Sequence, residues 1–505
     1  MSLSLVIASL GFPLWLRLTH YINVLFISLL IRSGLQIAGA HPRLYWNDGC
    51  DPDRAWLNLV RTKVPKGRLY TSMDDEVPVS IWLALPGKDN LGLGRHWHFF
   101  SVIFWILNGV IYVALLLVTG DWSRLIPTSW SIFPAAWHTL LMYLSLHIPP
   151  KSVFTPYDPL QQLGYAAVVF VLAPFMLLTG AAMSPAIEAM FPWYIKLFGG
   201  RQAARSLHFL SLIAFVLFTA AHTVLVLIVY FPDNIRNIVF GTEQGSVWVA
   251  TAIGVAAVLL VVVVWAWASW QTLHNPRGMQ HALGALVDPL RLALLHRLKS
   301  RQAYQPSAIS PYFWVNGRPP DTSEYQDLVQ SGFATWKLSV GGLVEHAVEF
   351  SLDDLRALPK HTQITKHNCI QGWSGVAEWG GVCVTEILKV CEPSPQAKYL
   401  VFTSFQLGKQ AVKPELTSAF QRPFYEVIDM ELARHPQTIL AYEMNGEQLP
   451  INHGAPVRLR VETQLGYKMV KYLRSIELVE DYRQVGSGQG GFREDEQYYG
   501  TSAEI

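Results

Sequence analysis

Apolar and polar positions divide the chain near residue 270. Before it, charge-free runs of membrane-spanning length recur; after it, shorter alternating runs take over. The most informative run lies between Arg205 and Asp233, whose 27 intervening residues hold no ionisable side chain except His208 and His222. That is long enough for one helix to cross a bilayer. Similar runs predict spans at about 13–38, 97–119, 159–183 and 247–270. The first carries His20 near one end. The second opens with Gly94-Arg95-His96-Trp97-His98, which puts His98 just inside the membrane and His96 at its interface. The third has no histidine, and the fifth, rich in Val, Ala and Trp, reads as an anchor. Residues 41–95, including Trp46-Asn47-Asp48-Gly49-Cys50, read as a folded loop. Residues 120–158 place Pro127, Pro134, Pro149 and Pro150 around an aromatic-rich helix in which His138 and His147 are structural or interfacial.

His208 and His222 are 14 residues apart, so at about 100° and 1.5 Å per residue they share nearly one helix face, roughly 21 Å apart along the axis. A ring that is costly against lipid is tolerated facing the bundle interior, where it either hydrogen-bonds a neighbouring helix or ligates a metal or haem iron. Antiparallel first and fourth spans bring His20 to His222. Because the second and fourth spans begin on one membrane face, the same connectivity brings His98 to His208. The result is one bis-histidine pair per leaflet, which suits two b-type haems.

Composition narrows the classes further. The length suggests about three domain-sized units. A net charge of +2 indicates no nucleic-acid partner. Four cysteines, Cys50, Cys369, Cys383 and Cys391, lack CxxC spacing, which argues against a zinc ribbon, a cysteine-held iron–sulfur cluster or a disulfide scaffold. Neither a cleavable signal peptide nor a twin-arginine motif is read at the N-terminus. The segment 275–301 reads as basic and partly amphipathic, with His274, His281 and His296 solvated. Cys383 and Cys391 read as core thiols in a helical region.

The second half alternates like strands at 336–344, 363–369, 398–405, 456–462 and 469–479. Ser351 to Asp354 forms a capping box, and Asn445-Gly446 a hairpin turn. The fold class is therefore an α-helical bundle of about five spans followed by an α+β domain. The chemistry of that domain hangs on Thr365-Lys366-His367-Asn368-Cys369-Ile370-Gln371-Gly372-Trp373-Ser374. Lys366 and His367 are expected to hold the Cys369 sulfur as a thiolate. On physical grounds nucleophile, metal ligand and buried thiol all remain open.

Two resemblances add to this reading. Thr19-His20, Gly94-Arg95-Trp97-His98 and the pair His208/His222 resemble the dihaem cytochrome b subunits of formate dehydrogenase, nickel–iron hydrogenase and thiosulfate reductase, over residues 10–240. That likeness implies that His20, His98, His208 and His222 ligate two haem b groups that exchange electrons with quinone. The Cys369 segment is similar to the cysteine motif of the sulfite oxidase superfamily, and most similar to the molybdopterin subunit of bacterial protein-methionine-sulfoxide reductase. This second likeness continues through His453-Gly454-Ala455-Pro456-Val457-Arg458 and Gly466-Tyr467-Lys468-Met469-Val470-Lys471. It implies that Cys369 ligates molybdenum as the catalytic-site cysteine. Ser404, His453, Arg458, Met469, Val470 and Lys471 would hold the pterin and its phosphate, with Ser310, Phe313 and Trp314 at the remaining side. An exposed strand face is the alternative reading of Arg458 and Lys471. The reductase has asparagine in place of His453 and arginine in place of His367. No arginine neighbours Cys369 in sequence, which disfavours sulfite unless Arg422, Arg434 or Arg460 folds inward.

These likenesses imply a fused oxidoreductase of the bacterial inner membrane. Residues 1–240 form the dihaem domain, 241–304 the fifth helix and connection, 305–483 the molybdopterin domain and 484–505 a polar tail. Electrons pass between quinone, two haems and molybdopterin, reducing a small-molecule or protein-bound S-oxide or N-oxide such as methionine sulfoxide. The alternatives are a sulfite or organosulfur dehydrogenase feeding quinone, and an electron conduit with a vestigial binding domain. Haem-family topology puts the soluble domain on the periplasmic side. Yet the 41–95 loop carries eight Lys/Arg against two in 120–158, and the positive-inside rule then favours the opposite face.

Overall fold

The computed structural model describes residues 11–500, apart from 61–62, 88–89, 155, 296–301, 413–418 and 420; His296 and residues 501–505 thus lie outside the described residues. Five helices are long and apolar enough to cross a membrane: Leu14–Ala40, Leu91–Thr119, Pro159–Ala182, Arg201–Ile228 and Val247–His274. The chain forms two compact units. One comprises Met1–Ser33, Trp97–Ala181 and Leu207–Gln271, and the other Gly34–His96, Ala182–Ser206 and Thr272–Ile505.

The first unit is the helical bundle. A single π-turn at Val168–Leu172 interrupts its third helix. Pro174 follows, with no N–H to donate and a ring that crowds the carbonyl four residues back, which accounts for the irregularity. Polar contacts tie the fifth helix to the first. The Trp265 indole donates to Ser28 Oγ at 2.9 Å, and the Arg32 guanidinium donates to Ser269 Oγ at 2.8 Å while lying 5.4 Å over Trp265. An intramembrane arginine held this way makes the fifth span a packed member of the bundle rather than a mere anchor.

The second unit contains strands β1 (Arg43–Leu44), β2 (Leu57–Asn58), β3 (Lys337–Gly342), β4 (Val348–Ser351), β5 (Lys360–Asn368), β6 (Ser374–Cys383), β7 (Tyr399–Leu407), β8 (Pro423–Asp429), β9 (Thr438–Met444), β10 (Glu447–Gln448), β11 (Arg458–Val461) and β12 (Leu473–Val479). Ten of them build two five-stranded sheets, while β1 and β2 pair only with each other. One has the order β10-β9-β6-β5 with β11 also on β9, and the other the order β4-β3-β12-β7-β8. The α+β expectation holds, and so do two local signals. Ser351 caps Leu352–Ala357 through a full capping box. Asn445 and Gly446, both at positive φ, turn β9 into β10.

Three expectations change. The strand read from residue 469 begins at Leu473, because Gly466–Lys468 is a tight turn and Tyr472 adopts φ 54°. The supposed polar tail packs into the domain, with Phe492 in the core and the Glu494 carboxylate beside Lys468. The 41–95 loop, assigned by sequence to the haem domain, folds with the sheets: Tyr45 and Cys50 are fully buried, and Arg43 makes a buried bidentate pair with Asp75.

Candidate functional site

In the bundle the structure brings His20 and His222 together, with ring centroids 6.2 Å apart and planes at 77°. Two imidazoles on opposite sides of one metal ion, at metal–nitrogen distances of about 2 Å, place their centroids about 6 Å apart. The spacing therefore fits a shared iron. His222 also stacks on Phe218 and meets the Tyr165 hydroxyl at 3.2 Å through Nδ1.

For His98 and His208 the structure shows how each ring is held. His98 Nδ1 lies 3.1 Å from Ser33 Oγ, whose own proton goes to the Leu29 carbonyl at 2.8 Å. Ser33 must therefore accept, so His98 donates from Nδ1. His208 Nδ1 likewise meets the Met176 carbonyl at 3.1 Å and Thr179 Oγ1 at 3.2 Å, and Thr179 gives its proton to Phe175 O. In both rings Nε2 keeps the lone pair. This is the tautomer a haem ligand needs, fixed by the kind of outer hydrogen bond that orients metal-binding histidines. Small side chains at Thr219, Ala220 and Thr223 leave an apolar groove beside Ile31, with about 750 Å³ of empty volume.

In the second unit Cys369 directly follows β5, at the start of a turn closed by Cys369 N–H to Trp373 O and Gly372 N–H to Cys369 O. Its sulfur is buried, 3.4 Å from Gln371 Oε1 and 3.8 Å from the Asn316 amide nitrogen. Burial pushes the thiol up to about 12, which corrects the expected thiolate. The basic neighbours are engaged elsewhere. Lys366 pairs with Asp48 at 2.5 Å and Glu188 at 2.7 Å, and the His367 Nδ1 accepts from Arg460 at 3.1 Å. A bound metal ion would make the sulfur a thiolate here.

Beside this turn lies a cavity lined in part by Phe313, Trp314, Asn316, His367, His453, Arg458, Met469, Lys471 and Arg493. Arg458 and Lys471 make no ion pair among the described residues. The Arg458 Nη1 donates to His453 O at 2.9 Å, its Nε has no partner, and its guanidinium lies 5.0 Å from the Trp379 ring. Lys471 donates to the carbonyls of Asn316 and Asn452. Burial, then Arg460, lowers Arg458 to about 9; burial, then Arg458, holds Lys471 well below the usual lysine range. His453 is pushed down to about 3 by burial, Lys471 and Arg458. Cations that depress one another in a carboxylate-free pocket fit a phosphate. Gly454, at φ 115°, permits the cluster, because a Cβ there would sit 2.9 Å from Lys471 Cβ.

The other sequence-derived residues are placed differently. Ser404 gives its hydroxyl to the carbonyls of Lys471 and Tyr472, Val470 is core, and Ser310 Oγ accepts from Val376 N–H. Arg460 does fold inward, pairing with Glu462 and lying 4.2 Å from the Trp379 ring, whereas Arg422 and Arg434 are exposed.

Sequence reasoning missed the segment just before the fourth span's apolar run. Arg201 donates to Asn368 Oδ1 at 3.3 Å, Gln202 to Gly372 O at 2.8 Å, and Arg205 to the carbonyls of Arg43 and His41. Arginines absent from the neighbouring sequence thus reach the Cys369 turn through the fold. The one available signal, charged and amide side chains clustered at a span's N-terminus, also describes an ordinary interfacial anchor.

Comparison with known proteins gives the chain a family. The family model for prokaryotic cytochrome b561 matches residues 11–241, and that for the oxidoreductase molybdopterin binding domain matches residues 326–485. The chain is 33% identical over 215 residues to the "Putative protein-methionine-sulfoxide reductase subunit YedZ1" of Azospira oryzae, covering 43% of this chain and 69% of that protein. It is 36% identical over 146 residues to the protein-methionine-sulfoxide reductase catalytic subunit MsrP of Xanthomonas axonopodis pv. citri, covering 29% of this chain and 45% of the relative's length. A solved structure of the sulfane dehydrogenase SoxCD from Paracoccus pantotrophus matches at 23% identity and a TM-score of 0.25, covering 31% of this chain and 42% of that one.

Fold and site together define a multi-pass membrane oxidoreductase in which a b-type cytochrome is joined to a molybdopterin-binding domain. The chain belongs to the family of YedZ1, and carries its cytochrome b561 and molybdopterin-binding parts in one polypeptide.

Proposed function

We propose that this chain carries electrons from quinol through two b haems to a molybdopterin centre that reduces an S-oxide or N-oxide, methionine sulfoxide being the first candidate. His20 and His222 would hold one haem, and His98 and His208 the other. Cys369 would bind molybdenum. Arg458, Lys471 and His453 would seat the pterin phosphate, with Met469, Phe313 and Trp314 against the cofactor. Ser404, Ser310 and Val470 would set the backbone around it. The bound cofactor supplies the oxygen transfer and the redox equivalents. The chain's own residues seal Cys369 from water, fix its turn through Gln202 and Arg201, and keep a protonated His367 Nε2 as a neutral donor in the cavity. That protonation state follows from Arg460, which has only donors and so leaves Nδ1 as acceptor.

The observation that carries this reading is a buried cysteine sulfur in a turn that borders a pocket whose Arg458 and Lys471 make no ion pair among the described residues. Similarity to MsrP supports the reductive direction. A second reading, oxidation of sulfite or an organosulfur anion with electrons passed to quinone, draws support from the arginines near the Cys369 turn, Arg201 and Arg493. Quinol-driven reduction of methionine sulfoxide against sulfite-driven reduction of quinone separates the two. Molybdenum analysis removes the conduit alternative, since a vestigial domain would leave iron without molybdenum.

For location we propose the bacterial inner membrane with the molybdopterin domain on the periplasmic face. The 41–95 and 182–206 connections and the C-terminal domain form one unit, as alternate connections of five crossings must. Protease access to the C-terminal segment in unlysed spheroplasts checks this: cleavage is expected, and protection until lysis contradicts it.

A further inference from the structure

Gln371 stands between the Cys369 sulfur and the loop that joins the first two spans. Its orientation is fixed from both ends. The Trp373 indole can only donate, and does so to Gln371 Oε1 at 3.0 Å, while Gln371 Nε2 donates to Glu76 Oε1 at 2.6 Å and to Ser72 O at 3.4 Å. The amide therefore cannot flip, and its carbonyl oxygen faces the sulfur at 3.4 Å. With a thiol this contact is a hydrogen bond, Sγ–H donating. Once a metal replaces that proton, the negative end of the carbonyl dipole confronts a thiolate and the contact turns repulsive. Gln371 would swing away if it were free, but Glu76 and Trp373 oppose this.

The same loop is anchored around the turn, so Glu76 does not act from a loose tether. Ser72 N–H donates to Val315 O at 2.8 Å, the Trp314 indole donates to Cys50 O at 2.8 Å, and Ser374 N–H donates to Cys50 Sγ at 3.3 Å.

We propose that Glu76, supplied by the membrane part's first connecting loop, is a positioning residue for the metal site: through Gln371 it holds a carbonyl oxygen against the Cys369 sulfur and lowers the reduction potential of the metal bound there. Hydrogen bonds and dipoles at a ligating sulfur are among the levers that set such potentials. The fusion thus has a consequence at the metal, since part of the sulfur's environment comes from the cytochrome segment. The inference rests on Cys369 being the metal's sulfur ligand.

The experiment is a potentiometric titration of the purified full chain, reading the Mo(V) electron paramagnetic resonance signal, with metal content and the haem spectrum recorded on each sample. In Glu76→Ala the midpoint is expected to rise by about 59 mV, a tenfold change in the one-electron ratio at fixed potential, with altered g-values and an unchanged haem spectrum. Glu76→Gln, which still offers an acceptor to Gln371 Nε2, returns the midpoint towards wild type. Full molybdenum content with wild-type midpoint and g-values in Glu76→Ala overturns the inference. Should Glu76→Ala not accumulate, Glu76→Asp decides by the same two readouts. Failure of the underlying assignment looks different: Cys369→Ser would then keep molybdenum and the wild-type signal.

Discussion

In the membrane bundle three of the four candidate ligands, His98, His208 and His222, take their orientation from a neighbouring helix, whereas the turn around Cys369 is held by stretches scattered over the whole chain. His208 is oriented by Met176 and Thr179, and His98 by Ser33. Around Cys369, Gln371 answers to Ser72 and Glu76, Asn368 to Arg201, Gly372 to Gln202, and the sulfur itself to Asn316. The two regions meet different physical demands. In a bilayer the helix satisfies its own backbone, so an isolated polar ring needs only one partner to be fixed. In the sheet-rich unit a buried sulfur and buried cations need every neighbour accounted for, and those neighbours come from wherever the fold can bring them.

The comparison can be broken first at the sulfur. Cys369→Ser should abolish sulfoxide reduction and change the Mo(V) paramagnetic resonance signal, while the haem spectrum stays as it was; an activity assay, paramagnetic resonance and visible spectroscopy on one sample check all three. Next comes the bundle. His222→Leu should halve the haem content, because His20 then faces no second imidazole, while molybdenum is retained; a pyridine haemochrome assay measures the loss. An unchanged haem content would mean that the 6.2 Å pair is a packing contact.

This contrast also governs what the sequence discloses. The spans and their histidines are legible because a charge-free run is a local property, and because helix geometry turns a 14-residue interval into one face. The His20–His222 encounter needs only antiparallel helices. The Cys369 motif and Arg458 are legible through resemblance. Glu76, Asp48, Gln202 and Arg205 are not, since their partners lie more than a hundred residues away and no periodicity records such pairings. Lys366 misleads for the same reason. Next to Cys369 in sequence it promises a thiolate, but Asp48 and Glu188 claim it. In the terminal segment, Phe492 is a single aromatic side chain in a polar stretch, too little to announce that the segment completes the core.

Smaller effects sharpen the picture. Thr179→Val should weaken haem retention by about tenfold, the low end for losing an outer hydrogen bond to a ligand, because Met176 O still accepts from His208; haem loss to apomyoglobin reports the rate. The smallest effect concerns pH. The folded unit holds His453 at about 3 against 6.5 for a free histidine, so this contribution to stability is full above pH 6.5 and is lost as pH falls towards 3. In cofactor-free chain, His453→Asn should therefore lose less thermal stability than wild type between pH 7 and pH 5, as read by the unfolding midpoint.

The proposed route takes electrons held in the bundle to the cavity beside Cys369. It is tested most directly by reducing the purified chain with quinol, removing the excess, adding methionine sulfoxide and following the haem α-band. Prompt reoxidation is expected in wild type and none in Cys369→Ser. Haems that stay reduced in molybdenum-replete wild type with sulfoxide, yet become reduced when sulfite is added to the oxidised chain, would contradict the proposed direction; haems indifferent to both would contradict the connection itself.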